Sequence, residues 1–140
     1  MALSADRPYR SIPSTVETLR VKMTTNDIYY KGALINLTAA DGVGIVASNT
    51  AAQGNPTYVV RQQLDNTGKT EYAEVETGIF FFPAAAAAQA DVGDYCYATA
   101  DDTIALAANA ADPCGKIVDV EVGVGWWVDL RKGIPVTALS

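Results

Sequence analysis

The sequence predicts an all-β fold, a small β-barrel or β-sandwich of about eight short strands, with one short Ala-rich helix and an extended N-terminal arm. Three observations predict it. Short apolar runs with period-two alternation recur along the chain. Gly, Pro, Asn and Asp close these runs at spacings of roughly 8–12 residues. One run only, Ala84 to Ala88 behind Pro83, combines high helix propensity with a proline suited to a first turn. At 140 residues the chain is one domain's worth, enough to bury roughly 65–70% of its unfolded surface without metal or disulfide staples.

Residues 1–14 show no periodicity. Pro8 and Pro13 lack backbone donors and push Arg7 and Ile12 toward extended conformations, so an arm is expected there and a single domain over 15–140. From Thr15 the pattern alternates, with Leu19, Val21 and Met23 on one face of a first strand. Ile28–Ile35 is broken at Gly32, which marks a bulge or bend. Gly42–Val46 follows a turn at Ala40–Gly42, and Pro56 precedes Tyr58–Arg61. Asp65–Gly68 is a strong turn before Thr70, Tyr72 and Val75, which lead into Gly78–Phe82. Beyond the short helix, strands are expected at Tyr95–Tyr97, Thr103–Leu106, Lys116–Val122 and Trp126–Leu130. Turns at Val92–Asp94, Ala98–Asp102, Asp112–Gly115 and Gly123–Gly125 precede them. Ile117 is out of phase with Val118, Val120 and Val122, which implies partial cover on both sides of that strand.

Charge and chemistry narrow the function. The net charge of −6 does not suit a phosphate backbone, so nucleic acid is not an expected partner. The charge is uneven: Arg7, Arg10, Arg20 and Lys22 outnumber Asp6 and Glu17 in residues 1–25, leaving −8 on the rest. No apolar run approaches the ~20 residues of a membrane-spanning helix, and no membrane partner is expected. The start has no signal-peptide apolar region, so folding in the cytoplasm is expected, with Cys96 and Cys114 as free thiols. The absence of histidine removes the commonest general base, the Ser-His relay and most zinc sites. Neither a nucleophile elbow nor a phosphate-cradling loop is present. The expectation is a non-enzyme with no cofactor or metal. Asp91, Asp94, Asp101 and Asp102 crowd one region and are candidate calcium ligands, but the favoured reading is turn residues bonding their own backbone.

Two groups of residues remain as candidate interaction sites. Phe80, Phe81 and Phe82, like Trp126 and Trp127, place rings on both faces of a strand. One face fills the core; the other needs cover from this chain or from a second subunit, which makes these five a candidate oligomer interface, most plausibly of a trimer. In the arm, Arg7, Tyr9, Arg10 and Ile12 form a compact anchor set for a neighbouring subunit or a larger shell. Deleting the arm is expected to weaken assembly while leaving the fold intact and shifting melting by only a few degrees.

Four segments in a characteristic order complete the reading: Val75–Pro83, Val92–Tyr97, Cys114–Val118 and Trp127–Leu130. Over residues 28–131 this order resembles the tailed-phage capsid cement, or head decoration, family. Members show a Gly-Val/Ile-Phe strand ending near Pro, an Ala-rich stretch, a Gly-Asp-aromatic strand, an Ile-Gly strand and a closing Val-x-Leu. Here Gly115-Lys-Ile117 replaces the Ile-Gly pairing, and the arm is longer. The resemblance implies a barrel-like, often trimeric protein on the outside of the expanded virion shell, bound to the major capsid protein and made in the host cytoplasm. Two rivals stand beside it. A tail- or fibre-associated virion domain would assemble rings without heads. A carbohydrate-binding module using Tyr29, Tyr30, Trp126 and Trp127 would be captured on glycans.

Overall fold

Chains that alternate apolar and polar residues between tight turns bury one side of each strand and must stack sheets to cover it. The computed structural model describes residues 3, 5–7, 9–38, 42–47, 53–106 and 113–132, and these form three antiparallel sheets, none of them a closed barrel. The strands are β1 (Glu17–Lys22), β2 (Ile28–Tyr29), β3 (Leu34–Thr38), β4 (Gly44–Val46), β5 (Gln53–Val60), β6 (Leu64–Asp65), β7 (Tyr72–Thr77), β8 (Ile79–Pro83), β9 (Tyr95–Ala100), β10 (Thr103–Ala105), β11 (Gly115–Glu121) and β12 (Gly125–Asp129). A first sheet runs β1-β7-β5-β3-β4, a second β10-β9-β11-β12-β8, and β2 pairs with β6 apart from both. The first sheet curls, because Met23, just past one edge strand, bridges Gly44 in the other.

Two apolar clusters follow from this layout. Leu34, Val59, Phe80, Phe82, Cys96, Ile117, Trp126 and Val128 pack between the two large sheets. Inside the curl of the first sheet lie Val21, Met23, Tyr29, Ile35, Val60 and Val75. Neighbours Leu34 and Ile35, like Val59 and Val60, enter opposite clusters, so the middle of that sheet is covered on both faces.

Several sequence expectations need correction. More strands are present than the eight expected, because Ile28–Ile35 splits into β2 and β3 at the Lys31–Gly32 turn and Leu64–Asp65, at the edge of the expected Asp65–Gly68 turn, forms β6. The expected helix over the Ala run is instead a set of turns ending in a three-residue 3-10 turn, Gln89–Asp91. A single Ala-rich stretch of this length does not repay helix nucleation without a packed apolar face. Tertiary bonds hold it otherwise: Gly123 N–H donates to Ala87 O and Ala84 N–H to Val124 O, both at 2.9 Å. Leu19 is 39% exposed although Val21 and Met23 on its face are buried, so only the C-terminal end of β1 enters the core. In β11 the register shifts between Ile117 and Asp119, which buries Ile117 and leaves Val122 exposed beyond the strand. Pro8, Ala40 and Asp112 lie outside the described residues.

Candidate functional site

The site begins with an edge. β8 closes the second sheet, and its outward backbone groups need partners. The N-terminal segment supplies them: Ile12 N–H donates to Ile79 O (3.0 Å) and Phe81 N–H to Arg10 O (2.9 Å), with Ser11 bridging Phe80. Pro13 holds the preceding Ile12 extended, the conformation an edge accepts, and opens the three-residue 3-10 turn Pro13–Thr15 that ends the pairing. Pro83 then ends the ladder, having no N–H to offer.

Rings sit on both faces of β8 and β12, as the tandem residues require. Phe82 pairs with Trp126 and Phe80 with Val128 on the core side, while Phe81 pairs with Trp127 on the other. Phe81 and Trp127 meet edge to face at 5.3 Å between centroids. Gly125 permits this approach, since a Cβ there would collide with the Phe81 ring and would sit 2.5 Å from Phe82 O. The guanidinium of Arg10 lies 4.0 Å from the Phe81 centroid and 5.3 Å from that of Trp127. Glu121 completes the group, accepting from Arg10 (3.2 Å) and from Trp127 Nε1 (3.0 Å). The five rings and indoles offered to a second subunit are thus largely covered by this chain: Phe80, Phe81, Phe82 and Trp126 are buried, and Trp127 is partly so. Phe80, Phe82 and Trp126 are covered by the core, and Phe81 and Trp127 by Arg10 of the arm together with Glu121.

The other anchors also turn inward. Tyr9 packs its ring on Phe80 (5.7 Å) and donates its hydroxyl to Glu76 (2.6 Å). Arg7 runs beneath the Lys31–Gly32 turn, where its N–H donates to Lys31 O at 3.0 Å. Gly32 has φ +85°, and a Cβ there would lie 2.6 Å from Arg7 Cγ, so glycine is required twice over. The guanidinium lies 5.5 Å from the Phe82 centroid. Burial pulls the Arg7 pKa down, opposed by the charges of Asp102 and Asp101. Its Nε and one terminal nitrogen are buried without a hydrogen-bond partner among the described residues. Ile12 remains 38% exposed. Arg7, Tyr9, Arg10, Phe81 and Pro83 together line a shallow groove of about 350 Å³. The anchors expected to reach a neighbour are therefore, in this structure, docked on their own body.

The aspartates do not converge. Asp91 caps the Ala-rich turn, accepting from Ala88 N–H and from Trp126 Nε1, both at 2.9 Å; these two bonds hold its carboxyl below the usual range. Asp101 is buried, accepts from Leu3 N–H at 2.9 Å, and has its pKa raised by desolvation. No group of three or more Cys, Asp or Glu that could hold a metal occurs among the described residues. Tyr29 and Trp126, offered to a sugar, are buried in different clusters, so their faces are not available for stacking.

Exposed apolar area instead collects at one end of the second sheet. Val122 (67% exposed) and Val124 (53%) form the β11–β12 tip, and the tip is hydrogen-bonded to the Ala-rich turns carrying exposed Ala85, Ala86, Ala88 and Val92. From Pro83 to Ala90 and from Val122 to Val128 the sequence holds no charge. Asp91 between them is engaged by its two donors. Sequence reading missed this end because it assigned the Ala run to a helix, and it missed Glu76 and Glu121 because their partners lie far away in the chain.

Tyrosine ionisation gives a direct check on how the arm and the core are seated. Burial raises the pKa of Tyr9, Tyr29 and Tyr58 above the ordinary value of 10.0, and the bond to Glu76 adds to the rise at Tyr9. Raised phenol pKa values contribute stability that is complete below the unfolded value and lost as pH climbs past it. The melting temperature should therefore fall above pH 10, with these three phenols ionising only as the chain unfolds. Ultraviolet titration of Tyr9→Phe, Tyr29→Phe and Tyr58→Phe against the parent assigns them. Ionisation of all three with the fold intact would contradict the packing described.

Compared with known proteins, the chain matches no protein-family model, no curated protein and no solved structure.

Proposed function

We propose that this chain is a structural, non-enzymatic virion protein that binds the outer surface of a tailed-phage capsid and stabilises the expanded head. The observation that carries the reading is the apolar end formed by the Val122–Val124 tip and the Ala-rich turns, in which the Asp91 carboxylate is engaged by Ala88 N–H and Trp126 Nε1. On a chain of net charge −6, such an end can seat on another protein without bringing unpaired carboxylates into a dry contact. The resemblance to cement proteins lends support from a separate direction. The segments that carry it fall mainly on β8, β9, β11 and β12, which are neighbours in one sheet, so they describe one structural unit rather than scattered likenesses.

The partner in this reading is the major capsid protein. A homotrimer would multiply modest contacts, since each later contact is made at high effective concentration. No observation favours the sugar-binding rival: two of its four rings, Tyr29 and Trp126, are buried, and Tyr30 and Trp127 are partly so.

The test uses sedimentation with expanded heads assembled without this protein. The parent should pellet with the heads, and coated heads should retain DNA at temperatures where bare heads release it. Val122→Asp combined with Val124→Asp should melt like the parent, because both side chains are exposed, yet bind at least about tenfold more weakly, as expected for a loss of 1.4 kcal/mol or more. Equal binding by the variant would remove the apolar end from the account. Failure of the parent to pellet would remove the capsid.

A further inference from the structure

The sheet that carries the apolar end also holds two thiols that the proposed function does not use. Cys96 lies in β9, and Cys114 immediately precedes β11, the next strand in the sheet. Cys96 pairs with Gly115 across the ladder, and Cys114 N–H donates to Cys96 O at 2.9 Å. Both thiols are free and buried, with Sγ atoms 3.7 Å apart. That is the length of a thiol–thiol hydrogen bond, roughly 1.7 Å longer than a disulfide bond. Neighbouring backbones already linked by a hydrogen bond need only side-chain rotation and a small relaxation to close it.

We propose that Cys96 and Cys114 form a latent cross-strand disulfide, reduced in the cytoplasm and closed when the protein meets a low-molecular-mass disulfide outside it. One protein thiol loses its proton and attacks the small disulfide, releasing one small thiol and leaving a mixed disulfide. The second protein thiol, also deprotonated, displaces the other small thiol and forms the intramolecular S–S bond. One small disulfide is reduced to two thiols for each cross-link made, and the two protons pass to the departing sulfurs. The bond would tie β9 to β11 and close a covalent loop containing β10. Its site is independent of the capsid reading.

Burial sets the rate. The hydrogen bond with Cys114 and desolvation both raise the Cys96 pKa, so little thiolate exists in the closed fold and exchange waits on local opening. The parent protein, purified reduced, is incubated with excess 2-hydroxyethyl disulfide below its melting temperature, with Cys96→Ser and Cys114→Ser alongside. Denatured thiol counts should fall from two to none in the parent, with intact mass lower by two hydrogens and no dimer on non-reducing gels. Melting temperature should rise by roughly 10 °C, as expected for a loop of this length, and return on reduction. Each single variant should take up at most one adduct and show no such rise. Persistence of two thiols, stable double adducts, intermolecular dimers, or closure without a rise in melting temperature would overturn the proposal.

Discussion

Replacing Asn66 by Ala is expected to lower the melting temperature by roughly 10 °C, corresponding to about 3 kcal/mol in a chain of this size. Asn66 is completely buried and joins two turns that are distant in sequence. Its amide nitrogen is placed to donate to Met23 O (3.3 Å), Thr24 O (3.1 Å) and Glu71 O (3.4 Å), while its oxygen accepts from Glu71 N–H (3.1 Å). Its backbone accepts from Asn26 N–H and donates to Asp27 O, both at 2.9 Å. Asn26 in turn has φ +62° and accepts from Gly68 N–H, so the turns after β1 and β6 interlock. Alanine leaves buried carbonyls and one N–H unpaired, at about 1–3 kcal/mol for each group that water cannot reach. Asn66→Asp should do no better, because a carboxylate would face carbonyl oxygens. Thermal melts and urea unfolding measure both. Loss of under about 1 kcal/mol for Ala, or a neutral Asp variant, would show that water replaces the amide and that the junction is not structural.

Removing residues 1–12 is expected to have an effect at least as large, with loss of about 5 kcal/mol and a tendency to aggregate. From sequence alone, the expectation for removal of residues 1–14 is a shift in melting of only a few degrees. The deletion would break the bonds of Ile12 to Ile79, Phe81 to Arg10, Arg7 to Lys31 and Leu3 to Asp101. It would also uncover the Phe81–Trp127 pair and Phe80, beneath Arg10 and Tyr9. Against a typical total of about 5–15 kcal/mol, that loss decides whether the chain folds at all. Arg10→Ala, Tyr9→Phe and Glu121→Gln divide the effect into parts, each expected to cost about 1 kcal/mol. A truncated chain that stays monomeric and melts within a few degrees of the parent would show that the arm is not part of the body.

Both expectations rest on contacts between residues far apart in the chain, which bears on what a sequence can disclose. Period-two alternation and turn residues placed β1, β7, β8, β9, β11 and β12 within a few residues, because each signal is local. Gly68 and Gly123 marked turns for the same reason, and Gly32 a bulge or bend that is a turn between two strands; all three have positive φ. The tandem rings correctly implied two faces needing cover. What covered them did not follow, since Arg10 and Phe81 are distant in sequence and meet only once the edge of the second sheet exists. Asn66 looked like an ordinary turn residue in Asp65–Gly68; its burial depends on the loop between β1 and β2 closing over it. The Ala run misled because helix propensity was weighed without the Asp91–Trp126 and Gly123–Ala87 bonds that fix it. At the candidate site the residue types were legible and their partners were not.

Attachment to a capsid is tested by electron microscopy of purified protein mixed with expanded heads that lack it. Added density is expected at regular lattice positions on the outer surface, oriented with the Val122–Val124 end toward the shell and the arm folded against its own second sheet. Shells that stay bare at saturating protein, under conditions where the protein is folded, would contradict attachment.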